Sequence, residues 1–153
     1  MNWSLPEGER RAQMVDVSGK EVAVRRAVAR AFVRISEAHR AFLKENPKGD
    51  VFAVAQVAGI QAGKRAWELI PLCHPIPVSH VSVSTELTEG GVQVEAEVIG
   101  EAKTGVEMEA LVAVTIAALA IYDMLKMGGQ DLSIEGIHLV EKTGGKQDFR
   151  REP

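Results

Sequence analysis

A single cysteine, no apolar run of membrane length and no large excess of either charge exclude several protein classes from this chain of 153 residues. One cysteine cannot form an intrachain bridge, and a chain of this length buries roughly 70% of the surface its unfolded form would expose, so its fold needs no disulfides. No apolar stretch follows a charged N-terminus as in a secretory signal, which makes the cytoplasm the default expectation. The longest apolar run, Ala110 to Tyr122, stops at Asp123, short of the roughly 20 residues a membrane span requires, and reads as a buried helix. A net charge of −3 argues against broad nucleic-acid binding, although a local cluster of Lys and Arg can still hold one phosphorylated small molecule. No internal repeat or low-complexity segment is visible. A single domain over 1–153 is expected, with residues 1–12 and 146–153 as flexible arms that do not carry the fold.

What the chain does have is periodic. Met14 to Val17 predicts a short strand, and Ser18-Gly19-Lys20-Glu21 matches a helix capping box. Val28, Phe32, Ile35, His39 and Phe42 then follow the spacing of one helical face until Asn46-Pro47, with Arg26, Arg30 and Arg34 on a solvated face. Asp50 caps a second predicted helix running toward Leu69, on which Gly59 and Gly63, four apart, would let another backbone approach closely. His80 to Leu87 and Val92 to Val98 alternate apolar and polar around Glu89-Gly90-Gly91, a β-hairpin. Val106 to Met127 predicts an apolar helix, and Leu132 to Val140 a last strand with a bulge at Gly136. The order β-α-α-β-β-α-β suggests an α+β fold of the ferredoxin-like kind, a mostly antiparallel sheet with helices on one face. The apolar surplus of the last helix predicts self-association.

Three polar clusters interrupt this apolar pattern. In Pro71-Leu72-Cys73-His74-Pro75-Ile76-Pro77 the prolines stiffen the loop around His74, which suits a proton donor or ligand contact, or merely a rigid connection. One Cys beside one His lacks the ligands a zinc site needs. Glu107 and Glu109 open the apolar helix, where its dipole favours carboxylates; Asp123 and Lys126, near its other end, share a face and can form an ion pair. Either pair could be ordinary surface chemistry. From Glu109 to Asp123 is a rise of about 21 Å on nearly the same face, so one site using both would need a second copy of the helix. Lys48-Gly49-Asp50, Gly63-Lys64-Arg65 and Lys142-Thr143-Gly144-Gly145-Lys146 resemble loops that hold phosphates, without matching a P-loop. Lys-Thr-Gly at 103 and 142 has no partner Ser motif and is no β-lactamase signal.

Taken together, Met14-Val15-Asp16-Val17-Ser18, Lys48-Gly49-Asp50-Val51-Phe52, Ala58-Gly59-Ile60-Gln61-Ala62, Leu69-Ile70-Pro71-Leu72-Cys73-His74-Pro75, Lys103-Thr104-Gly105-Val106-Glu107-Met108-Glu109-Ala110-Leu111, Ile121-Tyr122-Asp123-Met124 and Gly144-Gly145-Lys146 resemble the molybdenum cofactor biosynthesis protein C family (MoaC), the cyclic pyranopterin monophosphate synthases. The resemblance implies a ferredoxin-like subunit in a homo-hexamer built as a trimer of dimers, with active sites between subunits. It implies a lyase that rearranges 3′,8-cyclised dihydro-GTP to cyclic pyranopterin monophosphate and releases pyrophosphate. The resemblance implies Asp123 as the catalytic residue, Leu72, Cys73, His74, Met108 and Glu109 as substrate contacts, and Lys48, Lys126, Glu107, Lys142 and Arg25 as completing the site. On chemical grounds Lys126, expected to be buried, and Lys48 are the acid and base held by Asp123, with His74 and Glu109 orienting the ring and Lys142 and Lys146 taking the triphosphate. No resident cofactor or metal is implied, Mg²⁺ can accompany the triphosphate, and the preceding radical enzyme is a candidate transient partner. Two competitors stand beside this reading. A nucleotide-binding regulatory module would need the basic residues but no acid–base set, and a cyclohydrolase acting directly on GTP would need a zinc site.

Overall fold

In the computed structural model, which describes Gly8 and residues 11–152, the first regular element is a strand where the sequence predicts a helix. β1 runs Ala23–Arg34, with Ala27, Ala29, Ala31 and Val33 turned into the core. The arginines that suggested a helical face sit four apart, a spacing that a period of two satisfies as well as one of 3.6. The strand wins because Ala27, Ala29, Ala31 and Val33 alternate without a break. The expected capping box is instead a turn: Asp16 Oδ1 accepts from Ser18 N at 2.8 Å and Lys20 N donates to Val17 O at 3.0 Å. Residues 14–17 form no strand. Arg26, Arg30 and Arg34 are not merely solvated either. They reach across the outer sheet face to Glu97 and Glu141, to Glu95, and to Glu135 respectively.

A short helix follows, α1 at Glu37–Lys44. α2 spans Val51–Gly63, its first turn capped by Asp50, whose carboxylate accepts from Ala53 N; a one-turn helix α3 covers Ala66–Leu69. The hairpin appears as expected, β2 at Val78–Leu87 and β3 at Gly91–Ala102. α4 spans Glu107–Leu125 and tightens into a 3-10 turn, Lys126–Gly128. β4 spans Ser133–Thr143 with a register shift against β1 beside Gly136, and Phe149–Arg150 form β5, a pairing absent from the sequence expectation for the tail. Of the expected N-terminal arm, residues 1–7, 9 and 10 lie outside the described residues.

The sheet order is β2-β3-β1-β4-β5 and every pairing is antiparallel. With β5 set aside this is the ferredoxin-like arrangement, and α2 and α4 cover one face of it. The helix Glu107–Gly128 is long and apolar enough, by length and composition alone, to cross a membrane. Its Ala110, Ala113, Val114, Ala117, Ala118 and Ile121 are wholly buried in the core of this fold. At mid-height α2 touches α4 through Gly59, where an added Cβ would lie 2.9 Å from Ala113 O and 2.8 Å from Val83 Cγ2. α4 is thereby fixed as a rod across the sheet, and its two ends carry the polar clusters.

Candidate active site

At the N-terminal end of α4, Glu109 is 2% exposed, although it is a carboxylate. Its Oε2 accepts from Cys73 Sγ at 3.7 Å, and its Oε1 has no hydrogen-bond partner among the described residues. Burial pushes the Glu109 carboxyl above its ordinary range. Burial first, and then the neighbouring Glu109 charge, push the Cys73 thiol up to about 11. Glu107 Oε2 is likewise buried without a partner, while its Oε1 lies 3.7 Å from Lys142 Nζ. Buried acceptors left without donors are rare in folded proteins, and these two oxygens remain unsatisfied among the described residues. Met108, half-buried, sits between them on the same turn. The proline-rich loop brings Leu72, Cys73 and His74 to this end; His74 Nε2 donates to Val15 O at 2.7 Å and so holds the segment before β1 against it.

Beside Glu107 opens a groove of about 690 Å³ whose lining includes Lys20, Arg25, Arg26, Lys142 and Lys146. Its geometry comes from the pairing of β1 with β4, which sets Lys142 opposite Ala27 and leads the chain back over the start of β1. Gly144, at φ 97°, makes that return feasible, because a Cβ there would stand 2.0 Å from Val24 O. Arg25 is held by donation from Nε to Ala102 O at 3.1 Å. With Arg26 already paired to Glu97 and Glu141, the cations Lys20, Arg25, Lys142 and Lys146 beside glycine backbone N–H groups are the ones that suit a polyphosphate. Lys20, which stood in a supposed helix cap, was not legible as a lining residue of this groove.

At the opposite end of α4, Asp123 lies between two lysines. Lys48 Nζ donates to Oδ2 at 2.6 Å, and Lys126 Nζ stands 3.0 Å from Oδ1. These contacts, Lys48 first and Lys126 second, hold the Asp123 carboxyl below its usual range. The expectation of a buried Asp–Lys pair fails in the single chain, where the side chains of Asp123, Lys48 and Lys126 are 50%, 45% and 46% exposed. Met124 and Leu125 of that last turn are buried, but Asp123 and its two lysines stand on its outward side, half exposed. The implied site is thus divided. Lys48, Asp123 and Lys126 meet at one end, the remaining implied residues gather at the other, and the helix between separates them by about 21 Å. Among the described residues no three His, Cys, Asp or Glu side chains converge as metal ligands.

The family model described as MoaC family matches residues 14–145. The chain belongs to the MoaC family. Over 146 residues it is 52% identical to a protein of Listeria monocytogenes named cyclic pyranopterin monophosphate synthase, covering 90% of this chain and 88% of that protein. It is 49% identical over 150 residues to molybdenum cofactor biosynthesis protein 1 of Drosophila melanogaster, which covers 95% of this chain. The match spans 26% of the length of that Drosophila protein. For a MoaC chain, the division of charged groups between the two ends of α4 becomes the feature a mechanism must accommodate.

Proposed function

We propose that this chain is a cyclic pyranopterin monophosphate synthase, a lyase of molybdenum cofactor biosynthesis that converts 3′,8-cyclised dihydro-GTP to cyclic pyranopterin monophosphate and pyrophosphate. The observation that carries the reading is Asp123 held between Lys48 and Lys126, a carboxylate with two ammonium groups in contact. Opening and reclosing rings on a purine-derived skeleton needs proton transfers rather than redox chemistry, and such a set can give and take protons while the carboxylate holds the lysines in place. Glu107 and Glu109, with unsatisfied oxygens, and His74 would orient the ring, with Leu72, Cys73 and Met108 in contact with it. Lys142, Lys146 and Arg25 would take the triphosphate, joined by Lys20 from the same groove. Their charge would stabilise the leaving pyrophosphate as a ribose oxygen bonds to the α-phosphorus and the α–β bridging bond breaks.

A complete site would then join the N-terminal end of one α4 to the C-terminal end of another. Exposed Leu119 and Val57 on the outer faces of α4 and α2 supply apolar surface for such a pairing, within a trimer of dimers. A second copy would also supply the cover that Lys126 lacks. The reading requires no resident cofactor, admits Mg²⁺ with the triphosphate, and places the protein in the cytoplasm, where the preceding radical enzyme could hand over its product. Incubation with the cyclised dihydro-GTP intermediate tests it, following pyrophosphate and the oxidised fluorescent pterin. Both should form with the native chain and vanish in Asp123→Ala with the fold retained. Binding of the intermediate without either product would favour a regulatory module instead.

A further inference from the structure

Lys48 is carried by an exposed loop with no regular structure, yet its ammonium lies 2.6 Å from Asp123. A lysine has four rotatable bonds, so its geometry depends on what fixes its backbone. That backbone is fixed by Asn46. The side-chain oxygen of Asn46 accepts from Lys48 N at 3.0 Å, and its backbone carbonyl accepts from Gly49 N at 3.0 Å. Asn at the first position, Pro47 at the second and Gly49 at the fourth suit a tight turn, in which the Asn side chain closes a second ring. The same amide reaches out of the loop. Asn46 Nδ2 donates to Phe42 O at 3.1 Å in α1 and to Met124 O at 2.7 Å in the last turn of α4. Met124 follows Asp123 directly, and its carbonyl is one of the four that a helix leaves without an internal partner at its C-terminal end.

We infer that Asn46 is a positioning residue for the acid–base pair: its amide clamps the loop of Lys48 to the turn of Asp123 and so sets the distance between their charges. The inference rests on the proposed reaction for its kinetic consequence, but its geometric consequence is independent of it. Three of the four hydrogen bonds an Asn side chain can make are used, and they join α1, the Lys48 loop and α4 at one point. Without the amide the turn is held only by Gly49 N, and Lys48 shares no hydrogen bond with the last turn of α4 other than its own flexible contact with Asp123.

Asn46→Ala removes the clamp; Asn46→Ser keeps a hydroxyl able to close the turn on Lys48 N but too short to reach Met124 O. Two quantities are read in each folded variant. The first is the Asp123 carboxyl titration by carbon-detected NMR, which should move up toward the ordinary aspartate range as Lys48 withdraws. The second is turnover, where kcat should fall about 10- to 100-fold with KM changed less than about twofold, as expected when a catalytic group is displaced without loss of substrate contacts. Gly59→Ala, which disturbs packing away from the loop, serves as the comparison of equal destabilisation and should leave the Asp123 titration in place. An unmoved Asp123 titration in both Asn46 variants overturns the clamp, as does a kcat loss matched by Gly59→Ala at equal melting temperature. If the native chain releases no pyrophosphate the proposed reaction fails, while the Asp123 titration still decides the clamp.

Discussion

Glu109 shows what a single residue can reveal before any ligand is seen. A carboxylate so deeply buried, with one oxygen unpartnered, costs stability whenever it ionises. Because its folded-state pKa is raised, the stability it contributes is fully present below the ordinary glutamate range and is lost as pH climbs through the raised value. Glu109→Gln should therefore melt higher than the native chain above that range and lose its advantage at acid pH; melting curves across a pH series would show it. The same variant should alkylate faster with iodoacetamide at Cys73. In the native chain burial, and then the Glu109 charge, push the Cys73 thiol up to about 11, which leaves it little thiolate at neutral pH. His74, Glu107, Glu109 and Asp123 were legible in the sequence as polar residues inside apolar stretches. Asn46 was not, because it read as the end of a helix, and its role depends on a carbonyl 78 positions away.

At the level of elements, legibility followed the uniqueness of the periodicity. The hairpin around Gly90-Gly91 and the long helix over α4 have patterns only one structure satisfies, and both stand where the sequence puts them. β1 failed because arginines at 26, 30 and 34 suit both periods, and because alanine, which favours helices, fills its core face. Those alanines are small so that α4 can lie close over the middle of the sheet; packing overrode propensity. The glycines of α2 admit a graded test of the same principle. A Cβ on Gly59 would come within 2.8 Å of Val83 Cγ2 and 2.9 Å of backbone, whereas on Gly63 the nearest atoms are at 3.3 and 3.4 Å. Gly59→Ala should cost about 1–3 kcal/mol by overpacking, more than the ~1 kcal/mol that helix propensity returns, and Gly63→Ala should come out near neutral. Chemical denaturation of the two variants would separate them.

For the whole molecule, the proposed site shared between two copies makes a prediction no single chain can meet. Asp123→Ala and Glu109→Gln disable opposite ends of α4, so a mixed dimer would hold one site carrying both changes and one carrying neither. Refolding the two inactive proteins together at equal amounts should restore about a quarter of native turnover, the statistical share of intact sites. No recovery would place both ends in separate sites. If the site is shared, the helix that joins the two ends also restricts how this chain can vary in length. Loops such as that after β4 can gain or lose a residue at small cost, but one residue added within α4 turns its far end by about 100° and advances it about 1.5 Å, carrying Asp123 off the face it shares with Glu109. Under the proposed shared site α4 would act as a ruler: its count of residues, not only their identity, would be part of the catalytic specification, and a lengthened helix could fold soundly yet find no partner whose ends still meet its own.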